Sequence, residues 1–167
     1  ILLVTEQQLE WAVGTLAERE RVIAEGAGAA GIAALYGYQQ KFSGRKVGVV
    51  ICGGNIDMRL LGTILNRNMM SDGRLVRLRI DISDEPGMLA SISSAIGDSG
   101  GNIVEIYHQR MFYDVPAKLA KIDAIVDTRG QAHVEEIIAA LVAKHFSVSI
   151  IDENSSRERA YTPVGEA

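Results

Sequence analysis

Apolar and polar positions follow two different rhythms along this chain. In residues 5–20, Leu9, Ala12, Val13, Leu16 and Ala17 fall on one face at helical spacing. Thr5 stands ahead of them as an N-cap, with Gln8 three residues on, as in a capping box. Residues 25–39 are mostly Ala and Gly and predict a second helix. Its Gly26, Gly28, Gly31 and Gly37 each cost about 1 kcal/mol relative to Ala. Close approach to its first turn would compensate, either by a neighbouring backbone or by a ligand anion drawn to free N–H groups. Val47 to Cys52 is an apolar, β-branched run stopped by Gly53-Gly54-Asn55. That is the pattern of a strand buried on both faces, whose C-terminal loop is a usual ligand position. Asn55 is expected to cap a helix over 56–69, with Ile56, Leu60, Ile64 and Leu65 on its inner face.

The rhythm changes after Ser71-Asp72-Gly73, a turn signal that marks a domain boundary. Val76, Leu78, Ile80 and Ile82 alternate with Arg77, Arg79 and Asp81, which predicts a strand covered on one side. A loop, Asp84-Glu85-Pro86-Gly87, leads into a helix over 88–99 with Leu89, Ile92, Ser93 and Ile96 inward. Strands follow over 103–112 and 119–127, joined through Pro116. A helix over 131–144, a strand over 146–151 and a loose polar tail complete the pattern. The order β-α-β-β-α-β predicts a four-stranded antiparallel sheet with both helices on one face, the ferredoxin-like arrangement. Three segments result: 1–72, 73–152 and a tail, 153–167.

The first segment contains three predicted helices but one good strand. A strand buried on both faces needs hydrogen-bonding neighbours on both edges. Residues 1–72 therefore read as an incomplete α/β unit, and Ile1 as the start of a piece cut from a longer chain.

Composition narrows the function. Hydrophobic residues are 47% and charged residues 23% of the chain, so a packed core is affordable. The net charge of −4 argues against a nucleic-acid binder. The predicted central strands, 75–82 and 119–127, carry no aromatic, which also separates this pattern from an RNA recognition motif. One cysteine allows no internal disulfide and no Cys-rich zinc site, and fits a reducing, cytoplasmic setting. No run approaches the ~20 apolar residues of a membrane span. His108 reads as structural, His133 and His145 as solvated helix residues, and no metal site is expected.

Two motifs resemble known families. The stretch Asp84-Glu85-Pro86-Gly87-Met88-Leu89 between first strand and first helix, with Gly101-Asn102-Ile103 before the second strand, resembles an ACT domain. Glu25-Gly26-Ala27-Gly28-Ala29-Ala30 and Cys52-Gly53-Gly54-Asn55-Ile56-Asp57 resemble the closing part of the catalytic domain of fold type II pyridoxal-phosphate enzymes. The order of the two matches threonine dehydratases, also called threonine ammonia-lyases, that carry one C-terminal ACT domain.

The resemblance implies several expectations. The full-length reaction would be elimination of water from threonine, giving 2-oxobutanoate and ammonia, under allosteric control and with a place in isoleucine biosynthesis. Cys52 aligns with the position, usually Ser, that bonds the cofactor's pyridine nitrogen, and Glu25 with a glutamate near its ring. Gly53, Gly54 and Asn55 would shape the loop beneath. The family's covalent lysine motif is absent from the five lysines here, Lys41, Lys46, Lys118, Lys121 and Lys144, and so is its Gly-rich phosphate loop. The chain alone is therefore expected to be inactive. Asp84, Glu85, Gly87, Met88 and Leu89, with Asn102 and Ile103 of a partner module, would bind an amino-acid effector, isoleucine or valine. Homo-oligomers would form through the ACT domain. A stand-alone amino-acid-sensing module, or the same portion of a serine dehydratase or racemase, are the competing readings.

Overall fold

A computed structural model describes residues 1–109, 119–151 and 159–162. The chain divides into two compact units, Ile1–Met69 and Met70–Ala167.

The first unit is helical. Helix α1, Glu6–Thr15, opens with the expected capping box: Gln8 N donates to Thr5 Oγ1 at 3.2 Å and Thr5 N to Gln8 Oε1 at 2.9 Å. A π-helical turn, Leu16–Glu20, extends it until Arg21 adopts the left-handed conformation. Helix α2, Gly26–Gly37, packs against α1. Ala12, Val13, Leu16, Ala24, Ala29 and Ala33 form the close contact, and Trp11 stacks on Tyr36 with ring centroids 3.9 Å apart. A short α3, Gln39–Phe42, follows, and α4, Met58–Ser71, adds Leu61 and Ile64 to the core.

Three expectations change here. The apolar run from Val47 to Cys52 forms no strand and pairs with nothing, and no strand occurs among the described residues of this unit. Val50 is 84% exposed where burial on both faces was expected. A strand is held by its neighbours' hydrogen bonds, and these residues supply no neighbour. Asn55 does not cap α4. Asp57 does, its Oδ1 accepting from Arg59 N and Leu60 N at 3.0 Å each. The helix turns the Leu61–Ile64 face inward, so Leu61 is buried and Leu60 is 51% exposed.

The second unit is a sheet with helices on one face. Strands β1 Leu75–Ser83, β2 Asn102–Gln109, β3 Leu119–Asp127, β4 Ser147–Ile150 and β5 Arg159–Tyr161 stand in the order β2-β3-β1-β4-β5, every pair antiparallel. Helices α5, Met88–Asp98, and α6, Gln131–Ala143, cover one side. Val76, Leu78, Ile80 and Ile82 alternate into a core with Ile92, Ile96, Ile122, Val126, Ile137 and Leu141, as the period-2 pattern requires.

Here too the structure corrects particulars. Leu89 is exposed and Ala95 is buried on the inner face of α5. Residues 159–161, expected in a loose tail, form β5 on the outer edge of β4, with Val148 opposite Tyr161. Arg-Ala-Tyr has no apolar rhythm to announce it. An open strand edge supplies the partner. His133 is buried rather than solvated, and His145 follows α6 at a φ of 65°. The expected end of the second strand past Gln109, the connection through Pro116, and residues 152–158 and 163–167 lie outside the described residues.

Candidate functional sites

The residues aligned with a cofactor site converge around the start of α2. Glu25 N donates to the Gly53 carbonyl at 3.0 Å. A Cβ on Gly28 would collide with the Cys52 carbonyl oxygen, and one on Gly54 would stand 3.0 Å from the Ile23 carbonyl. The loop 52–54 is thus laid flat on the first turn of α2. The glycines of α2 differ accordingly: Gly28 admits a backbone, Gly31 a Val49 side chain and Gly37 a Gln8 side chain, while a Cβ on Gly26 would meet nothing within 4 Å. A neighbouring backbone, rather than an anion, compensates for Gly28. Beside this contact Glu25 is half-buried, and Cys52, Gly53, Gly54 and Asn55 are exposed.

The residues aligned with an effector site do not converge within one copy. Gly87, with φ of 93°, is the N-cap of α5, and no side chain caps that helix. Asp84, Glu85 and Gly87 are exposed, as is Leu89, while Met88 packs on the core. Asn102 is exposed and Ile103 packs on the core. β1 runs from Leu75, opposite Asp127, to Ser83, opposite Leu119, and β2 starts at Asn102 opposite the same Asp127. The 84–89 loop and Asn102 therefore stand at opposite ends of the sheet, roughly 25 Å apart at strand rise.

Residues 76–158 match the ACT domain family. They form an ACT domain. Over 151 residues, 90% of this chain, the sequence is 36% identical to an L-threonine ammonia-lyase of Thermotoga maritima and 30% identical to one of Geobacter sulfurreducens. The chain spans only 37% and 38% of those two relatives. A serine racemase of Dictyostelium discoideum is 35% identical over 68 residues, 40% of this chain and 21% of the relative. The 151 matched residues exceed either unit, so the similarity to the ammonia-lyases runs across both.

The ACT domain holds two arrangements that the sequence reading missed. On the helix-free face, Asp123 is only 2% exposed. Arg79 grips it with Nε and Nη2 at 2.8 and 2.9 Å, and Arg77 Nη2 adds a third contact at 2.9 Å. Burial by itself would raise the carboxyl's pKa. The hydrogen bonds from Arg79 and Arg77 outweigh it and hold Asp123 below the usual carboxylate value. Across β3, Tyr107 hydroxyl donates to Glu105, and that bond, followed by the carboxylate's charge, raises the phenol's pKa. The antiparallel register that sets Arg79 opposite Asp123 was the available signal. The second arrangement is His133, 4% exposed, whose ring bridges α6 to the end of α5. A histidine in the first turn of an amphipathic helix carries no such signal.

Proposed function

We propose that this chain is the C-terminal portion of a pyridoxal-phosphate-dependent threonine ammonia-lyase, with residues 1–72 closing the cofactor site and 73–152 sensing an amino-acid effector. The observation that carries this reading is the 36% identity across both units. Two features support the assignment of the first unit. Glu25 and the Cys52-Gly53-Gly54 loop, far apart in sequence, share one backbone contact. The exposed Val47 and Val50 present apolar surface that the rest of a catalytic domain would cover.

The site residues fit one wall of such a cofactor site. When bound, pyridoxal phosphate would supply the electron sink for elimination. Cys52 would offer its thiol to the pyridine nitrogen. A neutral thiol leaves that nitrogen largely unprotonated, whereas a carboxylate would hold it protonated. The flat loop at Gly53 and Gly54 would let the ring lie close. Covalent attachment would come from elsewhere, because none of the chain's five lysines lies in a Ser-x-Lys-x-Arg-Gly-like stretch. The chain alone is expected to remain inactive toward threonine and to give no lysine-dependent visible absorbance with pyridoxal phosphate. Appearance of that band, or release of 2-oxobutanoate, would refute this division of labour. The serine racemase similarity keeps a serine-directed activity as the second reading, separated by assaying the complete enzyme with both amino acids.

For the ACT domain, the uncapped start of α5 would receive the effector's carboxylate and Asp84 its ammonium. Asn102 and Ile103 would complete the site from a second copy. An antiparallel pairing of two β2 edges sets each strand's start beside its partner's end, which closes the separation found within one copy. Isoleucine or valine is the expected effector. Gly87→Asp is expected to weaken its binding at least tenfold, because a Cβ strains the left-handed backbone and a carboxylate joins Asp84 and Glu85. Calorimetry with isoleucine and valine checks this, and unchanged affinity would move the site elsewhere.

A further inference from the structure

We infer that His133 is the positioning residue for the turn that opens β2, and that protonating it releases this turn. The inference rests on the effector reading above only for its consequence, since the bracket itself is read from the geometry.

The ring is held from two elements. Its Nδ1 accepts from the Arg129 backbone N–H at 3.0 Å, just before α6. Its Nε2 lies 2.8 Å from the Ser99 carbonyl, just after α5. A backbone N–H only donates and a carbonyl only accepts, so both partners fix one neutral tautomer, with the proton on Nε2. The Ser99 carbonyl belongs to a tightly wound turn. Gly100 N donates to the Gly97 carbonyl at 2.9 Å and Gly101 N to the Ile96 carbonyl at 3.0 Å. Gly100 takes a φ of 84°, and a Cβ there would stand 3.0 Å from Arg129 Nη1 and 3.7 Å from His133 Nε2. The next residues are Asn102 and Ile103, the half of the effector site assigned to the partner copy. Against Gly101 the packing is apolar, from Ile96, Val126 and Ile137.

A second proton on Nδ1 would point two N–H donors at each other across 3.0 Å. The ring is buried, so it has no room to turn aside, and the link to Arg129 must break. The charged groups around it do not offset this. Arg129, from the loop before α6, already places a cation against Gly100. Glu136 on α6 reaches Arg129 at 3.5 Å, and Asp98 ends α5 on the exposed side. Acid strong enough to protonate the ring therefore loosens the start of β2 and with it the effector site.

The test uses the whole 167-residue chain, isotopically labelled, in wild-type, His133→Gln and His133→Leu forms. Imidazole nitrogen shifts should report the Nε2–H tautomer at pH 8. As pH is lowered, amide resonances of residues 100–103 should move together with the His133 imidazole nitrogen shifts. Isoleucine and valine affinity should fall about tenfold over the same range, the loss expected for one buried hydrogen bond. Glutamine carries both a donor and an acceptor, so His133→Gln should keep the pH 8 affinity within about threefold and lose the pH dependence. His133→Leu should lose affinity throughout. A His133→Gln variant that keeps the wild-type pH profile, or turn amides that ignore the titration, overturns the inference. If neither amino acid binds the wild type at any pH, the effector reading fails, and the turn resonances still decide the bracket.

Discussion

Replacing Asp123 with alanine is expected to destabilise the ACT domain by about 3 kcal/mol, the scale for stripping one partner from a buried ion pair. The carboxylate sits between Arg77 and Arg79 with almost no solvent contact. Without it, the two guanidiniums, on neighbouring positions of one strand face, lose the buried carboxylate that both contact. The effect carries a pH signature. The folded carboxyl titrates below its unfolded value of about 3.9, so its contribution is complete above that value and is lost as pH falls through the folded one. Wild type should therefore lose stability steeply below about pH 4, and Asp123→Ala should show a flatter acid limb. Urea unfolding followed by far-UV circular dichroism at pH 7, 4 and 3 measures both. The single tryptophan, Trp11, lies in the other unit, so its fluorescence separates the two transitions. A midpoint within 0.5 kcal/mol of wild type at pH 7 would show that the cluster is neutral to stability.

The second large effect is expected at Gly28. An added methyl in Gly28→Ala meets the backbone carbonyl of Cys52, which cannot swing aside as a long side chain would. Overpacking of this kind costs about 1–3 kcal/mol, and the rigid partner puts it at the upper end. Gly26→Ala is the matched control: it lies in the same turn, meets nothing within 4 Å and should gain up to about 1 kcal/mol from helix propensity. Trp11 fluorescence during denaturation reads both variants. Equal behaviour of the two alanines would mean that the loop 52–54 does not rest on α2 in solution. On the cofactor reading proposed above, Gly28→Ala would also weaken cofactor retention, because it would lift the loop carrying Cys52.

Most of the ACT domain was legible because its strands bury one face and its helices one stripe. Leu119–Asp127 and the alternating run from Leu75 match their expected positions for that reason. The failures have a common origin. Helical spacing puts Leu60 and Leu89 inward, but a rotation by one residue gives those places to Leu61 and Met88. Asn55 and Asp57 are both good caps, and only the true start of α4 selects between them. β5 exists because β4 leaves an edge to pair with, a property of the sheet rather than of residues 159–161.

What the sequence determined by itself is local: periodicity, the capping box at Thr5, the turn glycines, and motifs whose resemblance pointed to an ACT domain beside part of a fold type II enzyme. What the tertiary structure decided depends on contacts between distant segments. It joined Glu25 to Gly53, buried Asp123 between two arginines, bracketed two helix ends with His133 and left Val50 without a neighbour. Such contacts follow from packing and register across many residues at once, and a side chain's own chemistry does not encode which distant group will face it.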